Sequence, residues 1–82
     1  MQLDMYRDAV YGKYLIVEQR KDIKTLSIDD PDFIKGMEWI RTIDMDFDEL
    51  PTGLDPVKVI ELVKLQGYFK AVQNSYIREV EG

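Results

Sequence analysis

Apolar residues recur at helical spacing in three stretches of the chain. Leu62, Leu65, Phe69, Val72, Tyr76 and Val80 fall at offsets of 3, 7, 10, 14 and 18, the stripe of a helix running from about residue 55 to residue 80. Lys70, Asn74 and Arg78 form its solvated row. Phe33, Met37, Ile40, Ile43 and Phe47 repeat the pattern and predict a helix over 30–47 that ends before Pro51 and Gly53. Leu3, Tyr6, Val10, Tyr14 and Val17 extend it into the N-terminal third. There Tyr14-Leu15-Ile16-Val17 also favours a strand, with 23–28 as a hairpin partner, although Arg20-Lys21-Asp22 lacks the glycine or asparagine of a tight turn. The pattern therefore predicts an all-α fold, a three-helix bundle within a single domain spanning 1–82. The alternative is an N-terminal β-hairpin followed by two helices.

Two segments carry helix-start chemistry. Ser27-Ile28-Asp29-Asp30-Pro31 and Thr52-Gly53-Leu54-Asp55-Pro56 each set a hydroxyl three residues before an Asp, with proline next. Either the hydroxyl residue caps in a capping-box arrangement, or the Asp caps with proline in the first turn. Gly12, Gly36 and Gly67 fall inside the expected helices. Each is either a tolerated position costing about 1 kcal/mol relative to alanine, or a place where a neighbouring element comes close.

Composition narrows the function classes. Eighty-two residues supply a core worth roughly 3–5 kcal/mol, so helix packing or oligomerisation must support the fold. The chain has no cysteine and no histidine. That removes disulfides, thiolate metal sites, nucleophilic triads and the commonest general base. No apolar run is long enough to span a membrane and the N-terminus has no apolar signal core, which predicts a cytoplasmic protein. The net charge of −5 is uneven. Residues 29–55 hold nine acids and two bases, and the remainder is slightly basic. An acidic middle disfavours direct nucleic-acid binding and suits docking on a basic partner. The basic row Arg20, Lys21 and Lys24 is broken by Asp22 and lacks interleaved aromatics.

One local pattern points toward a cation. Asp44, Asp46 and Asp48 stand at positions 1, 3 and 5 of a loop closed by Asp55 at position 12, an arrangement that resembles an EF-hand calcium loop. Glu49 occupies the place of the sharp-turn glycine, Asp55 is shorter than the usual glutamate, Pro51 stands at position 8, and no second hand exists. The pattern is read as an acidic capped turn, with no metal or cofactor assigned. Without a nucleophile, a phosphate loop or a dinucleotide fingerprint, no enzymatic activity is expected.

What remains is contact. Helix 1 would be apolar on more than one side, through Met5, Ala9, Tyr11, Leu15 and Ile16 beside its main stripe. Such a helix predicts contacts with a protein partner or a second copy. The expected partner-binding residues are Trp39, Tyr68 and Tyr76, since Trp and Tyr are enriched at interfaces, with Asp44, Asp46, Asp48 and Glu49 as an acidic docking patch.

The segments DDPDFIKGMEWIRTI and LVKLQGYFKAVQNSYIREVEG, following a long first helix, resemble small helical proteins encoded among the virion and DNA-packaging genes of tailed bacteriophages. The resemblance implies a structural or assembly-associated factor in virion or host cytoplasm, and it carries no site residue with it. A different expectation is an acidic inhibitor that mimics nucleic-acid phosphates through Asp29, Asp30, Asp32, Asp44, Asp46, Asp48 and Glu49.

Overall fold

The computed structural model describes residues 1–8, 12–26, 28, 31–50, 53–73 and 77–79, with only the backbone of 73 and 77–79. The element order is β1 (Gln2–Asp8), β2 (Lys13–Glu18), two 3-10 turns (Ile23–Thr25 and Pro31–Ile34), β3 (Glu38–Asp44), α1 (Pro56–Gln66), β4 (Tyr68–Gln73) and β5 (Ile77–Glu79). The strands form one antiparallel sheet in the order β3-β1-β2-β4-β5.

This architecture overturns the expected all-α three-helix bundle. It also overturns the hairpin-plus-two-helices alternative. β2 pairs with β1 and β4, while the expected hairpin partner around Ile23 forms a 3-10 turn. The physical reason lies in burial on both faces of the sheet. Tyr14 and Ile16 point under α1, and Leu15 and Val17 point to the opposite side. A strand covered on both faces reads as an unbroken apolar run, and such a run matches helical spacing as well as strand spacing.

One face of the sheet carries the larger core. Leu3, Met5, Tyr14, Ile16, Ile43, Phe69 and Ala71 pack against Val59 and Val63 of α1. The other face is covered by the β2–β3 connection, whose Ile23, Leu26, Ile28, Phe33, Ile34 and Met37 lie over Leu15, Val17 and Tyr68. The segment expected as helix 2 is thus divided. Phe33 anchors a single 3-10 turn, Ile43 is a core strand residue, and Phe47 is 86% exposed.

Helix α1 starts and stops where local chemistry dictates. Asp55 caps it, Oδ1 accepting from the Val57 N–H at 3.0 Å, with Pro56 next. Such a cap contributes about 1 kcal/mol. The helix ends at Gly67, which takes the left-handed φ of +92° and donates to the Val63 carbonyl at 2.9 Å. The helix expected over 55–80 therefore stops at Gln66, and Leu65 on its expected stripe is exposed while Phe69 enters the core from a strand. Gly67 is neither a tolerated interior glycine nor a contact point. It is the C-terminal cap that lets the chain turn back into β4.

Candidate interaction surface at the β3 edge

β3 is an edge strand, and it carries a bulge. Leu3 pairs with Ile43, Asp4 with Thr42 and Met5 with Arg41, but Tyr6 pairs with Trp39, so Ile40 is the extra residue. A regular strand would put positions 39 and 42 on opposite faces. The bulge brings Trp39 and Thr42 to the same face, over Asp4.

Asp4 is the polar hub of that face. It is 7% exposed, and its Oδ1 accepts from the Thr42 hydroxyl at 2.7 Å and from Trp39 Nε1 at 3.4 Å. Its Oδ2 accepts from the Arg20 backbone N–H at 2.9 Å. Arg20 reaches that position with a left-handed φ of +67°. One carboxylate thus joins β1, β3 and the turn after β2. Burial alone would raise the Asp4 pKa. The bonds from Arg20, Thr42 and Trp39, with the Arg20 charge, outweigh burial and hold it below the ordinary value. Burial pushes the neighbouring Tyr6 phenol up, and the charges of Asp4 and Asp22 add to that.

The edge is half closed. The Met45 N–H donates inward to the Met1 carbonyl at 2.9 Å, whereas the Asp44 N–H is taken by Asp48 Oδ2 at 2.9 Å. Asp44 Oδ1 accepts from the Asp46 N–H at 3.0 Å, and Arg41 Nη2 donates to the Glu49 carbonyl at 3.2 Å. Asp46 also lies 3.7 Å from the N-terminal ammonium. The turn after β3 folds its acids onto its own backbone and blocks the last residue of the edge, a common way to prevent unwanted strand pairing. Toward its start the edge is uncovered, and there Trp39 is 55% exposed with Ile40 beside it.

The expected contact residues therefore divide. Trp39 and the acids Asp44, Asp46, Asp48 and Glu49 come together along one edge, with Trp39 about 16 Å from Asp44 at strand rise. Tyr68 does not join them. It is 2% exposed and packs with Leu15, Val17 and Phe33. Tyr76, like Asp29 and Asp30, lies outside the described residues. Sequence reasoning missed Ile40 and Phe47 as surface residues, because both fitted a core stripe. It also missed Asp4, which only the bulge makes central. The EF-hand-like pattern has a strand rather than a helix before it, and no group of three or more metal-ligating side chains occurs among the described residues. Among them too, no helix is long and apolar enough to cross a membrane.

No protein-family model matches this chain, and no curated protein or solved structure is similar to it at a significant level.

Proposed function

We propose that this chain is a non-enzymatic protein–protein interaction module that binds through the open part of the β3 edge. Trp39, Ile40 and Phe47 are the apolar contacts, and the acids of residues 44–49 set the approach of a basic partner. The observation that carries this reading is Trp39. Its indole N–H is tied to the buried Asp4 while more than half of the residue stays in solvent, on a strand that pairs with no strand on its outer side among the described residues. A fixed aromatic beside exposed strand backbone suits a partner that adds a strand or packs on the edge. The surface serves a second copy or a larger assembly, and an assembly-associated role of the phage type agrees with both.

Light scattering on a size-exclusion column, over a range of concentrations, tests this together with capture from host extract. We expect a mass that rises with concentration, or a captured partner, and loss of either in Trp39→Ala. A strictly monomeric protein whose captures are indifferent to Trp39→Ala refutes the assignment. The phosphate-mimic alternative has less support, since Asp44 and Asp48 each commit an oxygen to the turn's own backbone. Binding to a basic enzyme that collapses with added salt would favour it.

A further inference from the structure

The open part of the β3 edge can take a second copy of this chain or a different chain, and its backbone and charge choose between them. The Gln19 N–H donates to the Gln2 carbonyl at 3.1 Å, so Gln2 faces β2. Successive residues of a strand address opposite neighbours, so the odd-numbered residues of β1 face β3. Their partners there, Glu38, Arg41 and Ile43, turn their backbone groups inward. Asp44, Thr42 and Trp39, opposite Gln2, Asp4 and Tyr6, turn theirs outward. Asp48 Oδ2 takes the Asp44 N–H, and no described strand pairs with the outer side of Thr42 and Trp39. The bulge does not spoil their spacing. Asp4 and Tyr6 stand two apart on β1, which has no extra residue between them, so Thr42 and Trp39 lie as far apart as two alternate residues of a regular strand.

The side chains favour a different chain over a second copy. Between residues 38 and 49 lie five acids, Glu38, Asp44, Asp46, Asp48 and Glu49, and one base, Arg41. The N-terminal ammonium, 3.7 Å from Asp46, offsets one more charge and leaves the edge clearly negative. Two copies joined through β3 would be related by a two-fold axis and would set one acidic edge against another. Like charges facing each other across strands oppose pairing, and charges on an edge guard a sheet against its own kind. A strand that carries lysine or arginine meets the opposite condition. Its backbone can pair with Thr42 and Trp39 while its cations lie beside residues 44–49. Its residues opposite Thr42 and Trp39 fall on the face of the indole, which offers them an apolar contact.

Resting on the β3 edge as the contact surface, we propose that its occupant is an extended, lysine- or arginine-bearing segment of another protein, added as a further strand through the backbone of Trp39 and Thr42. The probe is a synthetic peptide of alternating valine and threonine with two lysines at each end, titrated into ¹⁵N-labelled full-length protein. Saturable amide shifts over residues 38–42 are expected. Hydrogen exchange should slow at the Trp39 and Thr42 amides and change little at Arg41 and Ile43, which already face β1. The same peptide ending in glutamates should bind at least about tenfold more weakly. Methylating its central backbone nitrogens should abolish binding, because the new ladder then lacks its donors. Asp46→Asn with Glu49→Gln should weaken the lysine peptide severalfold and spare the fold, since the turn's own N–H groups are held by Asp44 and Asp48. Each of three results overturns the inference while leaving the edge as the contact surface. The first is protection of the Trp39 and Thr42 amides that rises with protein concentration alone, which makes the occupant a second copy. The second is binding indifferent to the charge or the methylation of the peptide. The third is no response to the lysine peptide while capture of a partner still depends on Trp39. A monomer whose captures ignore Trp39→Ala refutes the edge itself.

Discussion

Thr42 Oγ1 donates to Asp4 Oδ1 at 2.7 Å across the β1–β3 pair, on the oxygen that Trp39 also reaches. The shared acceptor depends on the bulge at Ile40, because residues three apart on a regular strand face opposite ways. The buried carboxylate and the half-exposed tryptophan are therefore parts of one device. Asp4 sets the edge geometry, and the edge geometry sets what Trp39 presents to a partner.

Asp4→Ala would leave the Thr42 hydroxyl and the Arg20 N–H without their acceptor in a half-buried site. Losing hydrogen bonds to a charged group costs about 2–3 kcal/mol, a large share of the stability of a domain this small. Urea unfolding should show the loss as a lower midpoint with little change in slope. The variant should also disturb association, since Trp39 loses its anchor.

The same carboxylate should mark the pH dependence of folding. Its pKa is lower in the folded chain than the ordinary 3.8, so the unfolded chain binds the proton more readily. The stabilisation is complete above that ordinary value and is lost as pH falls through the lower folded value. Asp4→Asn should flatten this acid limb, which thermal melts from pH 7 to the acid end would reveal.

Gly36 and Gly67 should resist substitution for different reasons. At Gly67 an added Cβ meets only an ordinary contact, Leu26 Cδ2 at 3.9 Å, so its cost is the left-handed backbone, about 1 kcal/mol. At Gly36, with φ of +75°, an added Cβ also meets Asp8 Oδ2 at 3.0 Å. Gly36→Ala should be the more destabilising of the two by chemical denaturation.

Exposed and buried members of the expected helix 2 stripe should separate cleanly. Phe47→Ala should change stability by no more than about 0.5 kcal/mol, because the ring is in solvent. Ile43→Ala removes a fully buried side chain and should cost about 2–4 kcal/mol. Equal effects at the two positions would contradict the strand.

Much of the local punctuation was legible in the residues themselves. Asp55-Pro56 opens α1 by satisfying an end N–H and removing another, both of which are properties of adjacent residues. At the other expected helix start, Pro31–Ile34 makes only one 3-10 turn, and Asp30 lies outside the described residues. The absence of histidine and cysteine bounded the chemistry in the same local way. The concentration of acid between 29 and 55, and the place of Trp39 at its centre, could also be read directly, and both bear on the edge now proposed as the contact surface.

Strand against helix could not be read locally, because that choice belongs to partners distant in sequence. Tyr14-Leu15-Ile16-Val17 can satisfy its backbone within a helix or across a sheet. The sheet wins because β1 and β4 flank it and because α1 and the β2–β3 connection cover its two faces. The same dependence hid Tyr68 in the core and turned Phe47 outward. It also made a hub of Asp4, whose three hydrogen-bond partners lie 16, 35 and 38 residues along the chain. Capping and composition are settled between neighbours. Pairing, bulges and burial on two faces are settled only when the whole chain closes on itself.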